Sequence, residues 1–221
     1  MNLQNNDISK HILHSGTSIA GIVCKDGIVM AGDRRSTLGG QIVYSRKAKK
    51  VVQVNDYLLI AGTGIASDIE LTRKLLSAEL RLKELKTRSR PTVREAAHLL
   101  GMMTFKNIRT PSMITSIVGS LMGGFNDDGT FELYSILPDG DVEEISDFSA
   151  NVSSGMPYIL GLLERQHKKD ISVKDAVDLG KDCIKAAMER DVASGNGIDV
   201  FTITKDGIKH VVSEEIVAEY K

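Results

Sequence analysis

The sequence predicts an α+β protein built as a four-layer αββα sandwich, in which two sheets pack face to face between two pairs of helices. Strand patterns and helical patterns come in separate blocks along the chain, which argues against alternating βαβ units. The chain has 221 residues, of which 42% are hydrophobic, and this is enough for one large domain with a substantial core. We therefore expect a single domain.

The first block opens with a predicted β-hairpin. Residues 17–24 are rich in β-branched and small side chains, and Asp26-Gly27 is a signal for a two-residue turn. Residues 28–31 return as the partner strand. The start of the first strand then lies beside the end of the second, so we expect Thr17 close to the corner at 32–34.

Turn signals and periodicity place the later elements. A loop is expected over 37–49. The other predicted strands cover residues 51–54, 57–61, 114–125, 131–136, 142–145, 148–152, 199–204 and 209–212. The predicted helices cover residues 67–85, 92–107, 157–166 and 172–190. Together they form two pairs of helices, one pair for each outer layer.

Two helices carry specific signals. Thr92 and Glu95, just after Pro91, form the pattern of a capping box, which marks a helix start. One apolar stripe of the preceding helix is expected to face the core, and it consists of Leu71, Leu75, Ala78, Leu82 and Leu85. The last helix has a narrow face of small residues, made of Val173, Ala176, Val177, Gly180, Ile184 and Ala187.

Composition excludes several classes of function. The net charge of −1 gives no basic excess for nucleic acid and no acidic tail for a cationic partner. The two cysteines, Cys24 and Cys183, suit reduced buried thiols. The five histidines lack metal-ligand spacing, so we expect no metal and no cofactor. Residues 1–16 do not resemble a secretory signal and no run is long enough to span a bilayer, so a cytoplasmic location is expected.

The strongest chemical signal is at Gly16-Thr17, where a polar segment gives way abruptly to a strand pattern. Residues 1–16 fit either a disordered tail or a propeptide that keeps Thr17 acylated. If cleavage makes Thr17 the first residue, its α-amine, with a reference pKa of about 8, can act as the base for its hydroxyl. A nearby lysine would lower the proton affinity of that amine. Asp33 and the lysines of the basic run at 46–50 could complete such a site.

The run T-S-I-A-G-I-V-C-K-D-G-I-V-M-A-G-D-R-R-S at 17–36 resembles the opening of proteasome β subunits of the archaeal kind. These are N-terminal nucleophile hydrolases with the four-layer fold. The resemblance implies that Asp33 is the catalytic carboxylate. The catalytic lysine of the family stands before a short hydrophobic strand, and K-V-V-Q-V favours Lys50, whereas a gapless count from Thr17 gives Lys49.

Further motifs extend the resemblance to about residue 212. By likeness to the family, Ser154 in V-S-S-G-M-P, and Asp191 and Ser194 in E-R-D-V-A-S-G-N-G, converge on the threonine amine and hydroxyl. The family usually has glycine where this chain has Ser153. The resemblance also places Gly64 at the oxyanion position, where its N–H would face the developing charge.

The same alignment implies a pocket for the substrate side chain before the cleaved bond. Its residues would be Ser36, Val52, Gly62, Ala66 and Glu70. Glycine at position 62 with an acidic floor resembles the trypsin-like subunits, which suggests cleavage after Arg or Lys. The alternative is that Glu70 points to solvent from an amphipathic helix.

The resemblance thus implies a threonine endopeptidase cleaved between Gly16 and Thr17, with a propeptide at 1–16 and a protease domain at 17–221. Its implied partners are a homo- or hetero-heptameric β ring, proteasome α subunits, unfolded polypeptide substrates and an ATPase regulator acting through the α ring. Nucleic acid and membranes are not expected partners. Alternatives are a non-catalytic structural ring subunit, a bacterial two-ring threonine protease, which lacks R-D-x-x-S-G, and a metabolic amidohydrolase, which would carry larger insertions.

Overall fold

A computed structural model of the chain describes residues 14–216. The strands are β1 (His14–Ser15), β2 (Ile19–Cys24), β3 (Gly27–Asp33), β4 (Ser36–Leu38), β5 (Ile42–Ser45), β6 (Val51–Asn55), β7 (Leu58–Ile65), β8 (Val118–Phe125), β9 (Phe131–Ile136), β10 (Val142–Ile145), β11 (Phe148–Ser149), β12 (Gly197–Thr204) and β13 (Gly207–Glu215). The helices are α1 (Ala66–Thr87), α2 (Val93–Arg109), α3 (Met156–Gln166) and α4 (Val173–Met188). None of these helices is long and apolar enough to cross a bilayer.

The strands form two large antiparallel sheets. In the first sheet the order is β1-β7-β8-β9-β10, and β6 also pairs with β7. The second sheet has the order β11-β2-β3-β12-β13. Strands β4 and β5 form a separate hairpin.

Three groups of buried side chains separate the four layers. The group between the sheets includes Ile19 and Met30 from the second sheet and Leu59 and Leu121 from the first. A second group joins the first sheet to α1 and α2. The third joins the second sheet to α3 and α4, and both buried free thiols, Cys24 and Cys183, lie in it. The predicted α+β sandwich is therefore confirmed.

Local signals located several element ends correctly. Thr92 caps α2 with the complete capping box: its side chain accepts from the Glu95 N–H, and the Glu95 side chain accepts from the Thr92 N–H. The small-residue face of α4 is buried against the second sheet, apart from Val177, which is half-buried. The tight turn of the first hairpin lies one residue earlier than predicted, because Cys24 pairs with Gly27.

Two predictions were wrong. The expected loop at 37–49 contains most of the β4-β5 hairpin. The leucine stripe of α1 does not face the core: Leu71, Leu75, Leu82 and Leu85 are exposed. The buried side is instead formed by Thr72, Leu76 and Leu80. Periodicity detected an apolar stripe, but α1 has two, and only packing decides which one meets the sheet.

Candidate active site

Thr17 lies just before β2 and is buried. It contacts Ser154, Gly155 and Lys50. Its backbone N–H donates to Ser154 Oγ at 2.9 Å, and its carbonyl oxygen accepts from the Gly155 N–H at 3.2 Å. The Lys50 amine lies 3.0 Å from Thr17 Oγ1 and 2.8 Å from the Gly16 carbonyl oxygen. One cation therefore contacts both the hydroxyl and the carbonyl that precedes it.

Lys50 reaches this position because it directly precedes β6, whose first residue pairs with Ala61 on β7. The side chain is buried, with 6% exposure, whereas Lys49 is exposed. Burial lowers the pKa of the Lys50 amine, and the negative charges of Asp33 and Asp191 counteract this only in part. A lowered pKa raises the fraction of the amine that is unprotonated and therefore able to accept a proton.

Asp33 ends β3 and lies next to the start of β2, because Ile19 pairs with Gly32 across the hairpin. Its Oδ1 accepts from the Ser18 N–H at 2.9 Å. Its Oδ2 accepts from the N–H groups of Arg35 at 2.8 Å and Gly195 at 3.0 Å. Burial raises the pKa of Asp33 to about 6, although the Lys50 charge and these three N–H groups favour the ionised form.

A chain of hydroxyl groups leads from the Thr17 N–H to a second carboxylate. Ser154 Oγ lies 2.6 Å from Asp191 Oδ2, and Ser194 Oγ donates to the same oxygen at 2.6 Å. Ser18 Oγ lies 2.7 Å from Ser194 Oγ. The residues at 154, 191 and 194 thus converge on Thr17, as the sequence motifs suggested. The turn also forms with serine at 153, whose buried hydroxyl has no hydrogen-bond partner among the described residues.

Gly64 lies on the edge of β7 that faces the segment before Thr17, since Ser15 pairs with Gly64. Two residues earlier on the same edge, the Gly62 N–H already donates to the Lys50 carbonyl oxygen at 3.3 Å. Gly64 has φ +114°, and a Cβ there would lie 2.0 Å from the Ile117 carbonyl oxygen. Only glycine fits this position without displacing backbone.

The five residues assigned to the specificity pocket line one cavity of about 110 Å³. The members of this set are Ser36, Val52, Gly62, Ala66 and Glu70, and Lys50 lines the same cavity. The space next to Gly62 is not open, because a Cβ there would lie 2.5 Å from Ile69 Cγ2. Glycine at position 62 therefore does not widen this cavity, because Ile69 fills the space beside it.

The sequence reasoning overlooked two arginines. Arg73 lines the cavity and forms an ion pair with Glu70, which a charged pair at i and i+3 on a helix could have revealed. Arg35 Nε donates to Asn196 Oδ1 at 2.9 Å and Nη1 donates to the Val192 carbonyl oxygen at 2.8 Å. Arg35 therefore holds the turn that carries Asp191 and Ser194.

The geometry brings together a buried threonine hydroxyl, a lysine amine and a buried carboxylate on a four-layer fold. The family described as "Proteasome subunit" matches residues 13–203, so the chain belongs to the proteasome subunit family. A "Proteasome subunit beta" of Nanoarchaeum equitans is 37% identical over 90% of this chain and 98% of its own length. One from Archaeoglobus profundus is 37% identical over 92% of both chains. A "Proteasome subunit beta 2" of Pyrococcus abyssi is 34% identical over 92% of this chain and 94% of its own.

Membership in this family implies assembly into proteasome core rings together with α subunits. Proteasome β subunits are generally peptidases, so the family and the hydroxyl site point to the same class of chemistry. Within the described residues, no group of three or more His, Cys, Asp and Glu side chains is arranged to hold a metal ion.

Proposed function

We propose that this chain is a catalytic proteasome β subunit, a threonine endopeptidase that cleaves itself between Gly16 and Thr17. The observation that carries the proposal is the position of the Lys50 amine, 3.0 Å from Thr17 Oγ1 and 2.8 Å from the Gly16 carbonyl oxygen. The nucleophile, the base and the bond to be cut are in contact before any cleavage. In this proposal residues 1–16 are a propeptide and 17–221 form the protease domain.

Processing begins with Lys50 in its neutral form, which the lowered pKa favours. The amine accepts the proton of Thr17 Oγ1, and this oxygen attacks the Gly16 carbonyl carbon. The carbonyl oxygen becomes an oxyanion next to Lys50, which now carries the extra proton and stabilises the charge. The Gly16–Thr17 C–N bond then breaks, and the proton passes to the Thr17 nitrogen.

The product of this step is an ester that joins the Gly16 carbonyl to Thr17 Oγ1, and the Thr17 nitrogen is now a free amine. Water attacks the ester carbonyl, which releases residues 1–16 with a terminal carboxylate and returns the hydroxyl. The new amine lies next to Ser154 Oγ, which already accepts the Thr17 N–H and itself contacts Asp191 Oδ2. These groups hold the amine where it can serve as the base in later turnovers.

In turnover on a substrate, Thr17 Oγ1 attacks a peptide carbonyl and the Gly64 N–H faces the developing oxyanion. The amine accepts the proton of Thr17 Oγ1 during this attack and gives it to the leaving nitrogen, and water then hydrolyses the acyl-enzyme. Asp33 has no contact with the reacting carbonyl in this scheme. Its buried charge instead holds Lys50 in place and favours the protonated form of that amine.

The proposal includes the assembly expected of the archaeal type, with β subunits in seven-membered rings between rings of α subunits. The substrates are unfolded polypeptides admitted to a central chamber, and an ATPase regulator acts through the α ring in the cytoplasm. The exposed leucine side of α1, formed by Leu71, Leu75, Leu82 and Leu85, supports a chain that works in contact with other subunits.

The second candidate is a non-catalytic structural subunit of the same ring. A subunit with that role would need the fold but not the side chains at 17, 33 and 50. The mutual contacts of Thr17 and Lys50, with Asp33 buried beside them, favour the catalytic alternative.

The test is the intact mass of the chain after assembly with α subunits, for the wild type and for Thr17→Ala. We expect a wild-type chain that begins at Thr17, and a variant that keeps its full length and loses hydrolysis of fluorogenic peptides by at least about a hundredfold. Thr17→Ser is the matched control, since it keeps the hydroxyl and should still be processed. A full-length wild-type chain in a fully assembled particle would contradict the proposal.

A further inference from the structure

The cavity next to Thr17 carries more positive than negative charge. Three cations line it, namely Lys49, Lys50 and Arg73, whereas Glu70 is the one carboxylate among its lining residues. Lys50 is in contact with Thr17. Lys49 lies at the exposed side of the cavity and has no ion-pair partner among the described residues. A substrate side chain that enters this cavity therefore meets an excess of positive charge.

The single carboxylate is already paired. Arg73 Nη2 lies 2.8 Å from Glu70 Oε1 and Arg73 Nε lies 3.1 Å from Oε2, which is a bidentate arrangement. Lys74 Nζ approaches Glu70 Oε1 at 3.2 Å. These contacts, with the Arg73 hydrogen bond as the largest cause, hold the pKa of Glu70 below its usual range. Glu70 therefore serves to position Arg73 and is not a free acidic floor.

Arg73 can donate further hydrogen bonds in addition to those it makes to Glu70. Its side chain is 22% exposed, compared with 50% for Glu70. The third guanidinium nitrogen, Nη1, has no hydrogen-bond partner among the described residues. The guanidinium group of such an arginine is already held on one side by a carboxylate. It therefore loses little further side-chain entropy when its other side binds a second carboxylate.

We propose that Arg73, supported by Lys49 at the cavity mouth, makes this site select an acidic side chain, Glu or Asp, on the residue before the cleaved bond. The inference rests on the proposed threonine-protease function and names its substrate class. It reverses the expectation of cleavage after Arg or Lys, which treated Glu70 as unpaired. A substrate arginine would displace Arg73 from Glu70 and would meet the charges of Lys49 and Lys50.

The size of the cavity agrees with this choice. The cavity is small, with a volume of about 110 Å³. Ile69 closes the space next to Gly62. A Glu side chain, with five heavy atoms, therefore suits the site better than the longer Arg side chain.

The test compares fluorogenic peptides that differ only in the last residue, Glu, Gln or Arg, on the assembled particle. We expect kcat/KM to be about three- to tenfold higher for Glu than for its neutral isostere Gln, and lowest for Arg. Arg73→Gln should remove most of the preference for Glu over Gln, and Arg73→Glu should raise the rate for Arg. Glu70→Gln frees Arg73 and should leave the Glu preference intact or increase it.

Lys74→Gln is the matched control, because Lys74 contacts Glu70 from the same helix but does not line the cavity. It should leave the ratio of Glu to Gln within about twofold. Thr17-dependent hydrolysis with no Glu preference, or with a preference unmoved by Arg73→Gln, would overturn this inference and leave the proposed function standing. A fully assembled particle that cleaves none of these peptides and keeps residues 1–16 would overturn both.

Discussion

Asp33 and Gly195 are joined by a hydrogen bond of 3.0 Å between residues 162 positions apart in the chain. The carboxylate belongs to the opening hairpin and the N–H belongs to the turn that follows α4. This bond fixes the position of Lys50 and Asp33 relative to the turn that contains Asp191 and Ser194. The site is therefore assembled by tertiary contacts and cannot form in the hairpin alone.

The first prediction separates the two neighbouring lysines. Lys50→Met keeps the apolar stem and removes the amine, so we expect self-processing to be lost, because the proton of Thr17 Oγ1 no longer has an acceptor. Lys49→Met is the matched control and should be processed normally, since Lys49 is exposed. Mass spectrometry of the assembled chains reads out both. Processing that fails in Lys49→Met and survives in Lys50→Met would reverse the assignment.

The second prediction concerns pH. Because burial raises the pKa of Asp33 to about 6, the carboxylate takes up a proton as the pH falls through this value. The protonated form no longer attracts the Lys50 ammonium group, so kcat/KM for peptides should fall about tenfold per pH unit below pH 6. The profile should recover fully on return to pH 7.5, which separates titration from dissociation of the particle. A flat profile between pH 5 and pH 7 would contradict this prediction.

The third prediction concerns Gly64. Gly64→Ala places a Cβ 2.0 Å from the Ile117 carbonyl oxygen at φ +114°, so β7 and β8 must separate locally. We expect loss of peptide hydrolysis and a free energy of unfolding lowered by at least about 2 kcal/mol. Gly129→Ala is the control, since it also has positive φ, +85°, but nothing within 4 Å. If chemical denaturation shows the same loss of stability in both variants, the positive φ and not the contact with Ile117 causes that loss.

The fourth prediction concerns Asn151, which anchors the turn that carries Ser154. Its buried Nδ2 shares its two hydrogens among three acceptors, namely the carbonyl oxygens of Ser120 and Ile136, both at 3.1 Å, and Ser135 Oγ at 2.9 Å. Asn151→Gly keeps the positive φ of 47° and deletes these bonds. It should lower the free energy of unfolding by about 1–3 kcal/mol and slow self-processing, because Ser154 loses its support.

Asn151→Ala provides the comparison for this fourth prediction. It deletes the same hydrogen bonds and adds the strain of a non-glycine residue at positive φ, so it should be less stable than Asn151→Gly by about 1 kcal/mol. Chemical denaturation of the two variants measures the difference. Equal stability would show that the turn relaxes to another conformation when the amide is removed.

The sequence predicted which residues lie close to Thr17 better than it predicted which side of α1 is buried. Thr17 and Asp33 are brought together by a short hairpin, whose register depends only on local signals. Lys50, and not Lys49, contacts Thr17, and the strand pattern favoured Lys50 because it fixes the position of the residue before the strand. The buried side of α1 was predicted wrongly. Leu71 and Leu76 belong to different apolar stripes of this helix, and packing against the sheet decides which stripe is buried.

The proposed specificity pocket was predicted less completely than the neighbours of Thr17, but better than the buried side of α1. The alignment with the family assigned five residues to this pocket, and all five, including Glu70, line one cavity. It gave no information on the state of the carboxylate, because an ion pair depends on the side-chain partners Arg73 and Lys74. The spacing of these residues at i+3 and i+4 was visible in the sequence, and an explicit search for charged pairs along α1 would have found it.

The pairing of β1 with β7 has a consequence for the order of events in the life of this protein. His14 and Ser15 occupy the edge of β7 at Ile65 and Gly64, next to Thr17. An extended peptide presented to the mature site would pair with that same edge of β7. In the uncut chain this edge is occupied by the segment that precedes Thr17. Under the proposed function, the first peptide bond that each active site cleaves is its own Gly16–Thr17 bond, and a newly made subunit cannot cleave other proteins until that reaction has taken place.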